Sequence, residues 1–204
     1  RWGDVLAQSH VSSGPAMADV LDKLMSLEIV QKRAPINDPT NKRKSGYFVV
    51  DPLSLFYYRY VFRNASARQL LDPEVFYDRH VSQDFEENYV PHMFEEICRQ
   101  YLVRQNRTGK IEPAFDAIGK YWYDDPANKT SGEFDVVTQD PEGYAFYEAK
   151  FRKSPVTQKM VDEEITQVEA TGLKCHRYGF FSRSGFEAGE SDRTVFIELP
   201  QMFG

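Results

Sequence analysis

Two carboxylates and a lysine in the second half of the chain have a spacing that suits hydrolytic chemistry. Asp135 lies in an alternating apolar run, a turn follows at residues 140–143, and Glu148 and Lys150 lie in the next run. In a hairpin of this length Asp135 lies near the second strand, where Glu148 and Lys150 share one face because side chains alternate. Three ionisable groups are therefore expected to converge.

A divalent cation would relieve the repulsion between these carboxylates, which one lysine offsets only in part. The expected ligands are Asp135, Glu148 and the backbone carbonyl of Ala149, and such hard oxygen donors suit Mg²⁺ or Mn²⁺ better than zinc. Lys150 could then orient or deprotonate an attacking water, or offset charge on a phosphorane. The alternative is a surface hairpin with an exposed Glu148/Lys150 pair.

A long helix predicted over residues 83–105 supplies a fourth carboxylate. The spacing predicts that Phe94, Ile97 and Tyr101 face the core, with Glu95 at the edge of this apolar stripe. The neighbouring Glu96 groups with polar residues of the same helix, namely His92, Arg99 and Gln100. Glu95 is therefore the better candidate for the fourth acid.

The elements around these residues have the order of an α/β fold with a mixed sheet. The patterns predict a helix over residues 157–171 and strands over residues 117–123, 133–138, 144–151, 176–182 and 194–199.

The first part of the chain has the order helix, turn, helix, strand, basic loop, strand. Helices are predicted over residues 2–8 and from the Ser13-Gly14-Pro15 turn to Glu28, and strands over residues 29–36 and 47–50. This order is typical of a winged helix whose first helix is missing. The loop between the strands carries Lys42, Arg43 and Lys44, which could contact DNA phosphates or form a solvated hairpin tip.

Charge and helical pattern predict three segments: a winged-helix-like domain over 1–64, a connecting helix over 65–82 and an α/β domain over 83–204. Residues 1–64 hold nine Lys and Arg against six Asp and Glu, whereas the rest of the chain is acidic. A helix over residues 53–62 is expected to pack between domains through one face formed by Leu53, Phe56, Tyr57 and Tyr60.

Composition excludes several classes of protein. The 204 residues carry a net charge of −6, which argues against bulk electrostatic coating of nucleic acid but allows a local basic rim. Candidates for that rim are Arg104, Arg107, Lys110, Lys120, Lys129, Arg152 and Lys153. Two distant cysteines favour a reducing cytoplasm, and no apolar run is long enough to cross a bilayer. The start at Arg1 suggests a fragment.

The four candidate residues resemble the site of the PD-(D/E)XK nuclease superfamily, in which a helical glutamate precedes a strand aspartate and a Glu-x-Lys strand. This restriction-endonuclease-like resemblance implies that Asp135 and Glu148 hold Mg²⁺, that Lys150 assists the water and that Glu95 supports the metal site. The proline that names the motif is absent before Asp135.

A second resemblance covers nearly the whole chain and is to the C-terminal region of a family of prokaryotic AAA-type ATPases. The segments that carry it are 24–30, 47–52, 94–99, 119–122, 133–137 and 181–186. In that family a P-loop ATPase domain precedes the C-terminal region. This chain contains no G-x-x-x-x-G-K-[ST] pattern, so the resemblance implies that the ATPase domain lies upstream of it.

Three functions remain open at this point. The first is a Mg²⁺-dependent nuclease, with DNA as the expected partner and Arg152 and Lys153 as further DNA contacts. The second is a non-catalytic regulatory or interaction region of the ATPase, and the third is a DNA binder that uses only the winged helix. The sequence is compatible with DNA or RNA as the substrate, with endonuclease or exonuclease activity, and with more than one oligomeric state.

Overall fold

A computed structural model describes residues 1–9, 11, 13–41, 44–125, 130–189 and 191–203, without the side chains of residues 124, 125, 130 and 131. The chain forms two compact units, Arg1–Asn88 and Tyr89–Gly204. The charge change near residue 64 lies inside the first unit, and the predicted boundaries at 64 and 82 stay predictions. No helix in the described part has the length and apolarity needed to span a membrane.

The first unit begins with two helices and a two-stranded antiparallel sheet. Its elements are α1 (Trp2–Gln8), α2 (Gly14–Ser26), β1 (Val30–Arg33) and β2 (Gly46–Val49). Ser13 caps α2 because its side chain accepts a hydrogen bond from the Ala16 amide, and Pro15 lies in the first turn. Met17 and Leu21 are the buried residues of this helix.

Short helical segments complete the first unit. They are α3 (Pro52–Phe56), which continues as a π-helix (Tyr57–Phe62), α4 (Ala65–Leu70), α5 (Pro73–His80), α6 (Ser82–Asp84) and a second π-helix (Phe85–Tyr89). The Arg59 guanidinium donates to both carboxylate oxygens of Asp84, at 2.6 and 2.7 Å, and the buried Tyr60 hydroxyl donates at 2.6 Å. These bonds connect the first π-helix to α6.

The second unit contains a five-stranded mixed sheet, as the sequence predicts. Its strands are β3 (Ala117–Asp125), β4 (Thr130–Asp140), β5 (Gly143–Lys150), β6 (Cys175–Ser182) and β7 (Thr194–Glu198), in that order across the sheet. The β3–β4 and β4–β5 pairings are antiparallel, whereas β5–β6 and β6–β7 are parallel. Helix α8 (Gln158–Glu169) provides the crossover that the parallel β5–β6 pair requires.

Two helices cover opposite faces of this sheet. Helix α7 (Val90–Arg107) buries Phe94, Cys98 and Leu102 against a cluster that includes Val136 and Tyr147. Helix α8 packs on the opposite face, which carries the alternate side chains of the strands. Val168 of α8 lines a small cavity there together with Phe146, Tyr178 and Phe180.

The predicted inward face of α7 is wrong at one position. Ile97 is 37% exposed, whereas the adjacent Cys98 is fully buried. The burial of Phe94, Cys98 and Leu102 follows an i, i+4, i+8 row, which turns Ile97 toward the edge of the interface. Glu95, one turn before Cys98 and Arg99, is consequently directed toward the sheet margin.

Candidate active site

Asp135 lies on β4 at an irregularity in the pairing with β3. Two β4 residues, Asp135 and Val136, oppose a single β3 residue, Lys120. Such a β-bulge redirects side chains locally. It places the lysine and the aspartate on adjacent strands with their charged ends together.

The Lys120 ammonium lies among three carboxylates. Its Nζ is 2.9 Å from Glu133 Oε1, 3.3 Å from Asp135 Oδ1 and 3.5 Å from Glu95 Oε2. Burial disfavours the ammonium, but the three surrounding negative charges outweigh this effect and raise the pKa of Lys120. Lys120 therefore carries its charge throughout the ordinary pH range.

Glu95 reaches this cluster from α7. Burial alone would raise the pKa of Glu95, yet contacts with His92 and Lys120 outweigh it and lower the pKa. The His92 Nδ1 lies 3.6 Å from Glu95 Oε2, so the predicted grouping of His92 with Glu96 is wrong. Glu96 is bonded instead to the Arg99 guanidinium at 2.5 Å and to the Gln100 amide at 3.3 Å.

The Asp135 carboxylate has the opposite electrostatic balance. Its burial and the nearby negative charge of Glu95 raise its pKa, and the attraction of Lys120 offsets these effects only in part. Because three carboxylates share one ammonium, the cluster retains excess negative charge at neutral pH.

Glu148 and Lys150 form a direct ion pair at the end of β5, with side chains 15% and 27% exposed. Glu164 of α8 lines the same small cavity as Glu148. Burial and the charge of Glu164 raise the pKa of Glu148 to about 7, although Lys150 opposes the shift. Burial likewise raises the pKa of Glu164.

The charge of Asp135 also acts on the two acids at the end of β5 and on α8. The negative charge of Asp135 contributes to the raised pKa of both Glu148 and Glu164. The structure thus arranges the four candidates in two parts: Glu95 with Asp135 through Lys120, and Glu148 with Lys150.

Sequence reasoning missed two members of this arrangement. Lys120 was expected on a basic rim toward nucleic acid, but it lies inside the acidic cluster because the β-bulge aligns it with Asp135. Glu164 had no role in the predicted site. Its position in the helix that crosses from β5 to β6 is the signal that could have placed it over Glu148.

The potential metal ligands are few. Among the described residues, no group of three or more His, Cys, Asp and Glu side chains has an arrangement that could hold a metal ion. The predicted donor set of Asp135, Glu148 and the Ala149 carbonyl has the oxygen chemistry that Mg²⁺ prefers. With two side chains and one carbonyl, water or substrate oxygens must complete six-fold coordination.

The candidate DNA contacts have different surroundings. Lys42, Arg43 and Lys129 lie outside the described residues. The Lys44 ammonium is 3.7 Å from Asp38 Oδ2. Arg152 and Lys153 are exposed and follow β5 directly after the Glu148/Lys150 pair. Arg152 and Lys153 are therefore close in the chain to the candidate site.

The second unit defines an α/β protein with a five-stranded mixed sheet and an ionisable cluster at its β3–β4–β5 side. The chain belongs to the DUF234 family, described as archaea bacterial proteins of unknown function, which it matches over residues 57–167. The match includes Glu95, Asp135, Glu148, Lys150 and Glu164.

Two further proteins are similar to parts of the chain. The uncharacterized protein MJECL04 of Methanocaldococcus jannaschii is 27% identical over 103 residues, which cover 50% of this chain and 23% of that protein. The crystal structure of a protein of unknown function, AF1548, is similar with a TM-score of 0.33 and 16% identity, over 50% of this chain and 58% of that chain.

Proposed function

We propose that the second unit is a Mg²⁺-dependent nuclease domain of the PD-(D/E)XK type, which hydrolyses phosphodiester bonds in nucleic acid, with DNA as the expected substrate. The observation that supports this proposal is the pairing of β4 with β5, in which Val136 opposes Tyr147 and the neighbouring Asp135 lies beside the strand that carries the Glu148/Lys150 ion pair. Glu95 extends the network from α7. A helical acid, a strand acid and a Glu-x-Lys strand are thereby connected electrostatically.

The donor set fits the proposed metal. Asp135, Glu148 and the Ala149 carbonyl would hold Mg²⁺ or Mn²⁺, because carboxylate and carbonyl oxygens are the hard donors that these ions prefer. Bound there, the ion would supply Lewis acidity to a phosphoryl oxygen and lower the pKa of a water molecule.

The remaining side chains have roles of their own. Lys150 carries a positive charge next to Glu148, where it can donate a hydrogen bond to a phosphate oxygen or orient the attacking water. Arg152 and Lys153 are exposed just beyond it and would attract the polyanionic backbone. Glu95 keeps Lys120 and Asp135 in position through their shared contacts.

We further propose that the α1–α2–β1–β2 portion of the first unit is a winged helix whose loop contacts DNA. Its element order and antiparallel strand pair support the assignment. Lys42, Arg43 and Lys44 would touch phosphates, as expected for a wing.

The chain would act as the C-terminal region of a longer AAA-type ATPase. The similarity to the Methanocaldococcus jannaschii protein spans only 23% of that protein, which leaves most of its length for other domains. The upstream ATPase domain is thus the proposed intramolecular partner of the chain.

The test combines metal titration with cleavage assays. Calorimetric titration of Mn²⁺ into the wild type, with and without DNA, is expected to show saturable binding. Asp135→Asn should lose metal affinity and cleavage of plasmid and single-stranded DNA, because it removes one negative charge while keeping the shape of the side chain. Lys150→Ala should retain metal binding but lose turnover.

Asp116→Asn is the matched control, because Asp116 is exposed immediately before β3. It should bind Mn²⁺ and cleave DNA as the wild type does. Absence of saturable Mn²⁺ binding by the wild type, even with DNA present, would overturn the nuclease proposal.

A second function has one observation in its favour. The contacts of Lys120 with Glu95, Glu133 and Asp135 partly neutralise the acids without any metal. This arrangement suits a non-catalytic regulatory or interaction domain, in which the acids serve structure. That function predicts no metal affinity and a small gain in stability for Asp135→Asn, since carboxylate repulsion is relieved.

A further inference from the structure

The Lys120 ammonium contacts Asp135, one of the acids proposed to hold the divalent cation. Its ammonium contacts Glu133, Asp135 and Glu95 within 3.5 Å, and its side chain is 29% exposed. Three carboxylates around one ammonium leave two negative charges uncompensated, so the cluster is held together by an ion that cannot neutralise it.

A divalent cation on Asp135 and the Lys120 ammonium would repel each other at contact distance. Two positive centres sharing one carboxylate oppose each other, and the partly buried position strengthens this repulsion relative to water. Of the three acids, Glu133 is the most exposed at 44% and also the nearest to Nζ. The flexible lysine can therefore leave Asp135 while keeping an ionic partner at the surface.

We propose that Lys120 is a positioning residue that competes with the divalent cation for Asp135. In the metal-free protein it holds Glu95 and Asp135 together, and metal binding displaces its ammonium from Asp135 while Glu133 retains it. This inference rests on the proposed metal-dependent function. The observed affinity for the metal then depends on how much more strongly Asp135 binds the metal ion than the Lys120 ammonium.

The test measures Mn²⁺ affinity in variants of the full chain. Lys120→Met removes the competing charge and keeps the length of the side chain, so it should bind Mn²⁺ about tenfold more tightly by calorimetry. Lys120→Arg keeps the charge and should stay close to the wild type. Lys110→Met is the matched control, because Lys110 is exposed and lies outside the cluster. It should leave the affinity unchanged.

A second measurement uses the wild type and does not depend on the folding of Lys120→Met. In protein labelled with ¹⁵N-lysine, the side-chain signal of Lys120, assigned by its loss in Lys120→Arg, should shift when Mg²⁺ is added. The signal of Lys110 should not move.

The outcomes separate this inference from the proposed function. Unchanged or weaker Mn²⁺ binding by Lys120→Met, or a Lys120 signal that ignores Mg²⁺ while the wild type binds it, overturns the competition and leaves the nuclease proposal intact. Binding by Lys120→Met alone supports the competition but overturns the activity proposed for the wild type. Absence of binding in all variants overturns both.

Discussion

Tyr147 on β5 lies directly over Gly179 on β6. The two residues are partners in the parallel pairing, and a Cβ atom on Gly179 would overlap the Tyr147 ring. Tyr147 is 4% exposed and belongs to the cluster that packs under α7. The glycine is thus required by close approach, since the aromatic ring occupies the space of its missing side chain.

We predict that Gly179→Ala destabilises the second unit by about 1–3 kcal/mol, the usual result of adding atoms to a packed core. Urea unfolding in a Trp2→Phe background, in which Trp122 reports on the second unit, measures the change. Gly189→Ala is the control, because no atom lies within 4 Å of its added Cβ. Equal stability of the two variants would contradict the packing argument.

The pH dependence of stability tests the burial of Glu148. Its pKa is raised to about 7 in the folded chain, mainly by burial, whereas an unfolded glutamate titrates near its ordinary value of about 4.3. Between these values the folded state binds more protons, so the free energy of unfolding falls as the pH rises. We expect a loss of about 3–4 kcal/mol from this group by pH 8.

Glu148→Gln should therefore lose less stability than the wild type between pH 4.5 and 8. Urea unfolding at several pH values, again followed through Trp122, gives the comparison. Glu187→Gln is a suitable control, since Glu187 is exposed on the loop after β6. Parallel curves for the wild type and Glu148→Gln would rule out the proposed contribution.

The Arg59–Asp84 pair predicts an opposite pH dependence in the first unit. Hydrogen bonds from Arg59 and Tyr60 lower the pKa of Asp84, so its stabilising effect is present above the unfolded pKa and is lost as the pH falls through the folded pKa. We expect Asp84→Asn to cost about 1 kcal/mol at pH 7, a modest value because Asp84 is 40% exposed.

Urea unfolding in a Trp122→Phe background, in which Trp2 reports on the first unit, measures this cost at pH 7 and at pH 3. The difference from the wild type should shrink at the lower pH. Asp78→Asn, on the exposed side of α5, should have no such effect. A constant difference across this range would contradict the role of the ionised carboxylate.

Much of the fold follows from local patterns. Ser13 and Pro15 mark the beginning of α2, and Asp140 to Gly143 mark the turn from β4 to β5, because caps and turns depend on a few adjacent residues. The positions of Glu148 and Lys150 on one strand follow from simple alternation.

Features that depend on wider helical turns or on strand register were not predictable in the same way. The sequence predicts one ordinary helix through Leu53–Phe62, but a π-helix begins at Tyr57 and rotates the following side chains. Leu53 is 76% exposed and Tyr57 45%, whereas Tyr60 is buried. The predicted single face is therefore wrong for Leu53 and Tyr57.

The candidate site illustrates the same limit. Glu95 could be selected from its position at the edge of the apolar stripe of α7. The approach of Lys120 to Asp135, however, depends on a β-bulge, and the alternation of side chains along a regular strand does not predict where a bulge occurs. Glu164 reaches Glu148 through the packing of α8 on the sheet, a contact between distant parts of the chain. The cytoplasmic location expected from the cysteines stays a prediction.

The basic loop of the first unit gives the last prediction. Replacing Lys42, Arg43 and Lys44 with alanine should weaken binding to duplex DNA by a similar factor for all sequences, because phosphate contacts carry no base information. The slope of log affinity against log salt should flatten, by up to about three if all three cations contact phosphates. Lys159→Ala, whose exposed side chain pairs with the neighbouring Glu163 on α8, serves as a control for general loss of positive charge. Fluorescence anisotropy at several salt concentrations measures both quantities, and unchanged binding of the triple variant would exclude the wing as a DNA contact.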